Sequence, residues 1–221
     1  MTKGYSQRVK LNAKVKSIQR KKSRIRVVDI LECEHNFDHV VIATHADEAL
    51  EIISDANKIE TEILSKFKYN NSRVILHSDQ SLMPHQKNVW SSWNFLGSTS
   101  SGVSVTYWMN LLQSLGNDNQ YFVSVNPKSE PKRSLLHQTF QYQHPHFDLK
   151  SWAAQKKLWS LQGVKNTWFC GSYFGYGFHE DALQAGLAVA EELGGLQRPW
   201  TVKGNSGRIY RFNGSKRIAD A

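Results

Sequence analysis

The chain has 221 residues, 40% hydrophobic and 21% charged, which is enough to bury a core of one or two domains. No apolar run reaches the ~18 residues of a membrane span, and the N-terminus lacks the apolar stretch of a secretory signal. Two cysteines far apart, Cys33 and Cys170, exclude a disulfide framework and give no zinc spacing, so two free thiols in a cytoplasmic protein are expected.

The net charge of +9 is uneven. Residues 1–26 carry +10 with no acid and residues 201–221 carry +4, which leaves −5 between them. Basic ends can serve nucleic acid or an anionic surface. Aromatics do not interleave with the N-terminal charges, which alternate with apolar residues instead. A solvated sheet face is therefore expected, and a nucleic-acid partner is not.

In chain order, Val9, Leu11, Ala13 and Val15 alternate with Lys10, Lys14 and Lys16, the period of a half-exposed strand over 9–18. Arg20 to Ser23 is a turn, and Arg24 to Val28 runs back. Val40 to Ala43 is apolar on both faces and reads as a buried parallel strand. Ala46 to Ile53 and residues 57–68 read as helices. Strands follow at 72–78, 89–95, 104–109, 121–125 and 136–142. The turn signals between them include Met83-Pro84, Gly97 to Gly102 and Gly116 to Asn119. Residues 151–162 read as a helix. Val164 to Cys170 then leads into Gly171-Ser-Tyr-Phe-Gly-Tyr-Gly177 and a last helix up to Leu193, rich in small residues. The tail at 201–221 is polar, basic and expected to be disordered.

The stretch from Trp168 to Leu193 combines a short strand, a glycine-rich aromatic turn and a helix N-terminus. Such a turn allows close backbone approach, and such a helix end offers free N–H groups. By itself this is also compatible with a well-packed βα connection. Its sequence resembles the C-terminal flavin-contacting segment of the FAD-dependent amine-oxidase-like oxidoreductases. It is most similar to a bacterial subgroup of predicted NAD/FAD-binding proteins with a Gly-Tyr-Gly-Phe-His-Glu-Asp run. A second likeness lies at Phe37 to Ala46, where the family has a strand ending in Ala-Thr beside the FAD. The resemblance covers about Val9 to Trp200.

The resemblance implies an α+β chain. Residues 9–50 and 164–195 would be C-terminal portions of an FAD-binding α/β domain, and 51–163 a largely antiparallel substrate-type sheet domain. It implies FAD as cofactor. Val15 would lie on the adenine side, or be an ordinary core valine. Ala43 and Thr44 would end the strand beside the cofactor. Gly171 and Ser172 would touch the ribitol and pyrophosphate, and Gly177 would form the turn. Phe178 would stand before the ring, and the His179 N–H would meet a flavin carbonyl. Many relatives carry an acid where Ser172 stands. Amine oxidases proper place a lysine near the flavin, and the nearest match here is Arg73. An amine substrate is therefore not expected.

The Gly-x-Gly-x-x-Gly turn that anchors the FAD pyrophosphate does not occur in this sequence. The expectation is a C-terminal part of a flavoprotein that binds FAD weakly or not at all by itself, the dinucleotide-binding half being either lost or a separate chain. The alternative is a non-catalytic remnant or interaction module that keeps the fold without flavin. No catalytic residue and no metal site is assigned. His179 could act by its side chain or be a surface residue. The His77-x-Asp79 pair and His85 read as loop or pocket. The tryptophans, among them Trp90, Trp93 and Trp108, read as sheet core or as the walls of a pocket for a small apolar substrate.

Overall fold

The computed structural model describes residues 2–21, 24–97, 103–116 and 118–211. The chain is α+β and divides into two compact units. One comprises the residues up to Lys68 with those from Pro145 onward; the other is Tyr69–His144. Helices therefore gather in the first unit, and the sheet unit is narrower than the 51–163 read from the sequence.

The first unit opens with an antiparallel meander of β1 (Val15–Arg20), β2 (Ile25–Asp29) and β3 (Glu34–Phe37). Ile18 and Ile25 are buried on its inner face. The expected strand start at Val9 is displaced to Val15. Asn12 stands at φ 55°, outside the extended region, and Leu11 is 81% exposed, so no face is buried there to hold a strand. β4 (Val40–Ile42) follows, then α1 (Ala46–Ile52) and α2 (Lys58–Leu64). Asn57 caps α2: its side chain accepts the Glu60 N–H at 2.8 Å, and the Glu60 carboxylate accepts the Asn57 N–H at 2.8 Å.

Arg20 ties this meander to α2. Its guanidinium forms a buried pair with Glu60, with Nη2 at 2.7 Å from Oε2, and its Nε lies 3.1 Å from the Asp55 carboxylate. Burial pulls the Arg20 pKa down, but the bonds to Glu60 and Asp55 outweigh it and hold the group above its ordinary value.

The second unit is a five-stranded sheet in the order β6-β7-β8-β5-β9. Its strands are β5 (Lys68–His77), β6 (Trp93–Gly97), β7 (Val103–Trp108), β8 (Phe122–Val125) and β9 (Leu136–His146), with the short α3 (Met109–Leu112) after β7. β6, β7, β8 and β5 pair antiparallel in succession. The turn read at 97–102 lies mostly outside the described residues. Trp90, half-buried, meets the half-buried Trp108 and the buried Phe122 edge-on at 5.3 and 5.8 Å. Trp93 is 57% exposed.

The chain returns to the first unit with α4 (Leu149–Leu158), β10 (Thr167–Phe169) and α5 (His179–Gly194). α4 begins at an Asp148 cap, whose carboxylate accepts the Ser151 N–H at 2.8 Å. α5 ends at Gly195, with φ 66° in the left-handed region that favours glycine. Ala185, Ala188 and Val189 form its buried stripe. Residues 201–211 are mostly turn; Ile209 is only 7% exposed, and the Arg208 N–H beside it donates to the Gln184 side chain of α5 at 3.1 Å. Residues 212–221 lie outside those described. Among the described residues no helix is long and apolar enough to cross a membrane.

Candidate functional site

The two sequence segments singled out above become neighbours in the first unit. β10 runs parallel to β4 with Thr167 opposite Val40, Trp168 opposite Val41 and Phe169 opposite Ile42. The ladder continues one step, the Cys170 N–H donating to the Ile42 carbonyl at 3.0 Å. Because the strands are parallel, their carboxyl ends, Ala43-Thr44 and Gly171-Ser172, share one edge. In open α/β sheets that edge is where ligands bind. The Gln162 side chain fixes β10 further, donating to the Phe169 carbonyl at 2.7 Å and accepting its N–H at 2.8 Å.

The turn beyond β10 has no spare room. A Cβ on Gly171 would sit 2.7 Å from the Tyr173 ring and 3.6 Å from the Thr44 carbonyl oxygen, so the two segments touch at this point. Ser172–Phe174 is a 3₁₀ turn, and the Ser172 carbonyl accepts the N–H groups of Gly175 and Gly177 at 3.1 and 3.2 Å. From α4, the Gln155 amide donates to the Tyr173 carbonyl at 3.0 Å and to the Gly175 carbonyl at 2.5 Å. A Cβ on Gly175 would strike the Asp181 carboxylate. Gly177 stands at φ 91°, and a Cβ there would meet Phe147 at 3.0 Å and Pro145 at 3.1 Å. Only glycine suits a position closed by both dihedral and space.

Phe178 caps α5 and is 54% exposed; His179 is exposed at the first helical position. The first amides of α5 are those that a helix leaves without internal partners. They carry the partial positive charge of its N-terminus. Glu180 and Asp181 occupy the same turn. Asp181 is fully buried, and its carboxylate accepts the Phe178 N–H at 2.7 Å and the Arg208 Nε–H at 2.6 Å.

Val15, Ala43 and Thr44 line one cavity of about 610 Å³, together with Ile18, Val27 and Val41. The expectation that strand 40–43 is buried holds for Ile42 at 3% exposure; Val41 is 43% exposed on the cavity side. The turn opens on a different cavity of about 520 Å³, walled by Gly175, Tyr176, Trp152, Lys156 and Tyr210. The structure thus joins Thr44 to Gly171, and Gly177 to Phe178 and His179. It adds Asp181, Gln155 and Arg208, which the sequence reading left out. Of these, only the acid near a helix start had a local signal.

Other candidates take plainer places. His77 ends β5 in the core of the second unit. Its Nε2 lies 2.8 Å from the Ser124 Oγ, and its Nδ1 accepts the Asp79 N–H at 3.1 Å. Burial, the largest cause, pulls its pKa down. Asp79 caps the turn that follows, and His85 is exposed. Arg73 is paired with Glu130. Burial pushes the Cys170 thiol up, away from the reactive thiolate.

The fold is one shared with solved structures of oxidases and of a mutase. Among solved structures that share it are wild-type putrescine oxidase bound to putrescine (TM-score 0.62, 13% identity, covering 86% of this chain and 50% of that one), reduced UDP-galactopyranose mutase (0.59, 13%, 92% and 51%), and cyclohexylamine oxidase from Brevibacterium oxydans IH-35A (0.54, 13%, 83% and 49%). The chain spans about half the length of the solved structures it matches. At such identities the likeness establishes the fold and leaves the reaction open, and an oxidase and a mutase already differ in chemistry. No family model matches the chain. No curated protein matches it.

Proposed function

We propose that the chain supplies the flavin-ring and adenine-side contacts of an FAD-dependent oxidoreductase. The observation that carries this is the parallel pairing of β4 with β10. It sets the Thr44 carbonyl against Gly171 and puts both motif segments on one sheet edge, next to the α5 N-terminus. The residues fit such a group. Thr44 and Gly171 meet at the shared strand ends, Phe178 offers an exposed ring, and His179 opens a helix end of partial positive charge.

In this reading Ala43, Thr44, Gly171 and Ser172 line the cofactor, Val15 stands on its adenine side, and Phe178 and the His179 N–H meet the ring. When bound, the flavin supplies the redox chemistry, accepting a hydride equivalent from a C–N or C–C bond. The chain's own part is to hold the ring and stabilise negative charge at its edge. The pyrophosphate needs a glycine-rich loop that this sequence does not contain. A dinucleotide-binding half, joined to this chain or separate from it, is therefore part of the proposal. Two free thiols, Cys33 and Cys170, suit a reducing compartment, and we place the protein in the cytoplasm.

The test is co-expression with such a half, read from the DNA preceding this sequence or from a separate frame. The complex is expected to purify yellow with bound flavin, and Gly177→Val to remove the colour from a folded complex, because a β-branched residue suits neither φ 91° nor the space. The lack of any encoded half, or a complex that stays colourless, would overturn the proposal. Unchanged flavin in folded Gly177→Val would overturn the placement of the turn.

A further inference from the structure

Residues 204–211 close back on the start of α5, although they follow it by more than two dozen positions. The contact centres on Arg208. Its Nε donates to Asp181 Oδ1 at 2.6 Å and its Nη2 to Oδ2 at 3.3 Å. Its guanidinium lies 5.2 Å from the Tyr176 ring centroid and 5.8 Å from that of Phe178. Its backbone N–H donates to the Gln184 side chain at 3.1 Å, and that side chain in turn donates to Glu180 at 2.8 Å. Ile209, next in sequence, is buried. One residue thus touches both exposed rings of the turn and the buried acid behind it.

We infer that Arg208 is a positioning residue for the candidate site, clamping the Tyr176–Phe178 turn through Asp181 and cancelling the charge of that carboxylate. The inference rests on the reading of this turn as flavin-contacting. Asp181 is fully buried, and its Oδ2 accepts the Phe178 N–H that sets the entry of the chain into α5. A buried carboxylate with no cation partner is costly, whereas a charge-assisted bond to a guanidinium fork offsets this and fixes the geometry. Glu180 and Asp181 suit the positive end of the helix, but they also oppose an anionic ligand edge approaching the same amides. Arg208 removes the buried half of that opposition. Its pKa is held above its ordinary value, chiefly by the bond to Asp181. The guanidinium also lies within cation–π range of the two rings, and its bidentate fork on Asp181 is something a lysine cannot reproduce.

The experiment uses the full chain and four variants: Arg208→Ala, Arg208→Lys, Asp181→Asn and the Arg208→Ala/Asp181→Asn pair. Amide hydrogen exchange is read across the whole chain. Arg208→Ala is expected to speed exchange at 176–182 by about tenfold or more, the size of a lost bond to a charged group, with 69–144 unchanged. Arg208→Lys should recover part of the protection, since it keeps the charge and loses the fork. The double variant should exchange no faster than Asp181→Asn, because Arg208 acts through that carboxylate. Unchanged exchange at 176–182 in Arg208→Ala, or additive effects of the two single changes, would overturn the inference. Should Arg208→Ala fail to fold, the comparison of Arg208→Lys with the parent decides: slower or equal exchange at 176–182 overturns it, and faster exchange confined there supports it. None of these readings needs flavin, so failure of the clamp is separate from failure of the flavin proposal, which shows as a colourless complex.

Discussion

Arg20 and Glu60 form a buried charge pair that ties the meander of the first unit to α2. Their side chains are 1% and 0% exposed, and Glu60 also caps α2. Removing Glu60 leaves Arg20 buried with Asp55 as its remaining charge partner, so the cost reaches at most the about 3–5 kcal/mol of breaking a buried pair. Glu60→Ala is therefore expected to lower the unfolding free energy of the first unit by up to that amount, checked by denaturant titration. Replacing both with apolar residues, as in Arg20→Met/Glu60→Leu, should recover much of the loss. A Glu60→Ala variant as stable as the parent would show that the pair is not the tie described.

His77 and Asp55 make the two units answer differently to acid. His77 is pulled below its ordinary value by burial, so the unfolded chain binds its proton first. Its contribution is complete above the unfolded value of about 6.5 and falls away as pH drops toward the folded value. Burial would raise Asp55, but the bonds from Arg20 and Lys165 hold it below its ordinary value. Its contribution persists above about 3.9 and is lost as pH falls through the folded value. Between pH ~6.5 and ~4, exchange protection is expected to weaken at 69–144 before it weakens at 15–68. His77→Gln should remove the early loss. Simultaneous weakening of both units in the parent would contradict this assignment.

At the scale of elements, what the sequence shows depends on whether the signal is periodic. The parallel strand β4 and the helix α5 were legible because an apolar run and a small-residue stripe mark them, and both bring their motif ends together. β3 was not legible: Glu34, His35 and Asn36 are polar, its one apolar residue Phe37 is exposed, and it exists by pairing with β2. The start of β1 was misplaced because alternation at Val9–Ala13 mimics a strand that has no core to cover. The glycines of the turn were legible as a motif, while Arg208 was not, since a single arginine in a basic, glycine-containing tail carries no pattern. Its role comes from one buried carboxylate that only the tertiary fold supplies. The tryptophans illustrate the opposite case: Trp90 and Trp108 are half-buried and pack edge-on around Phe122, which abundance in the sequence does not reveal.

For the whole molecule, the central claim is that the edge shared by β4 and β10, with the α5 N-terminus, is a flavin site. The chain spans about half of the solved structures whose fold it shares, so the claim concerns a complex with a dinucleotide-binding half. Hydrogen exchange of that complex with and without FAD tests it most directly. The account predicts protection gained at 43–46 and at 171–181, the segments that flank the Thr44–Gly171 contact. Protection gained only within 69–144, or unchanged exchange at both segments in a complex that holds FAD, would contradict it.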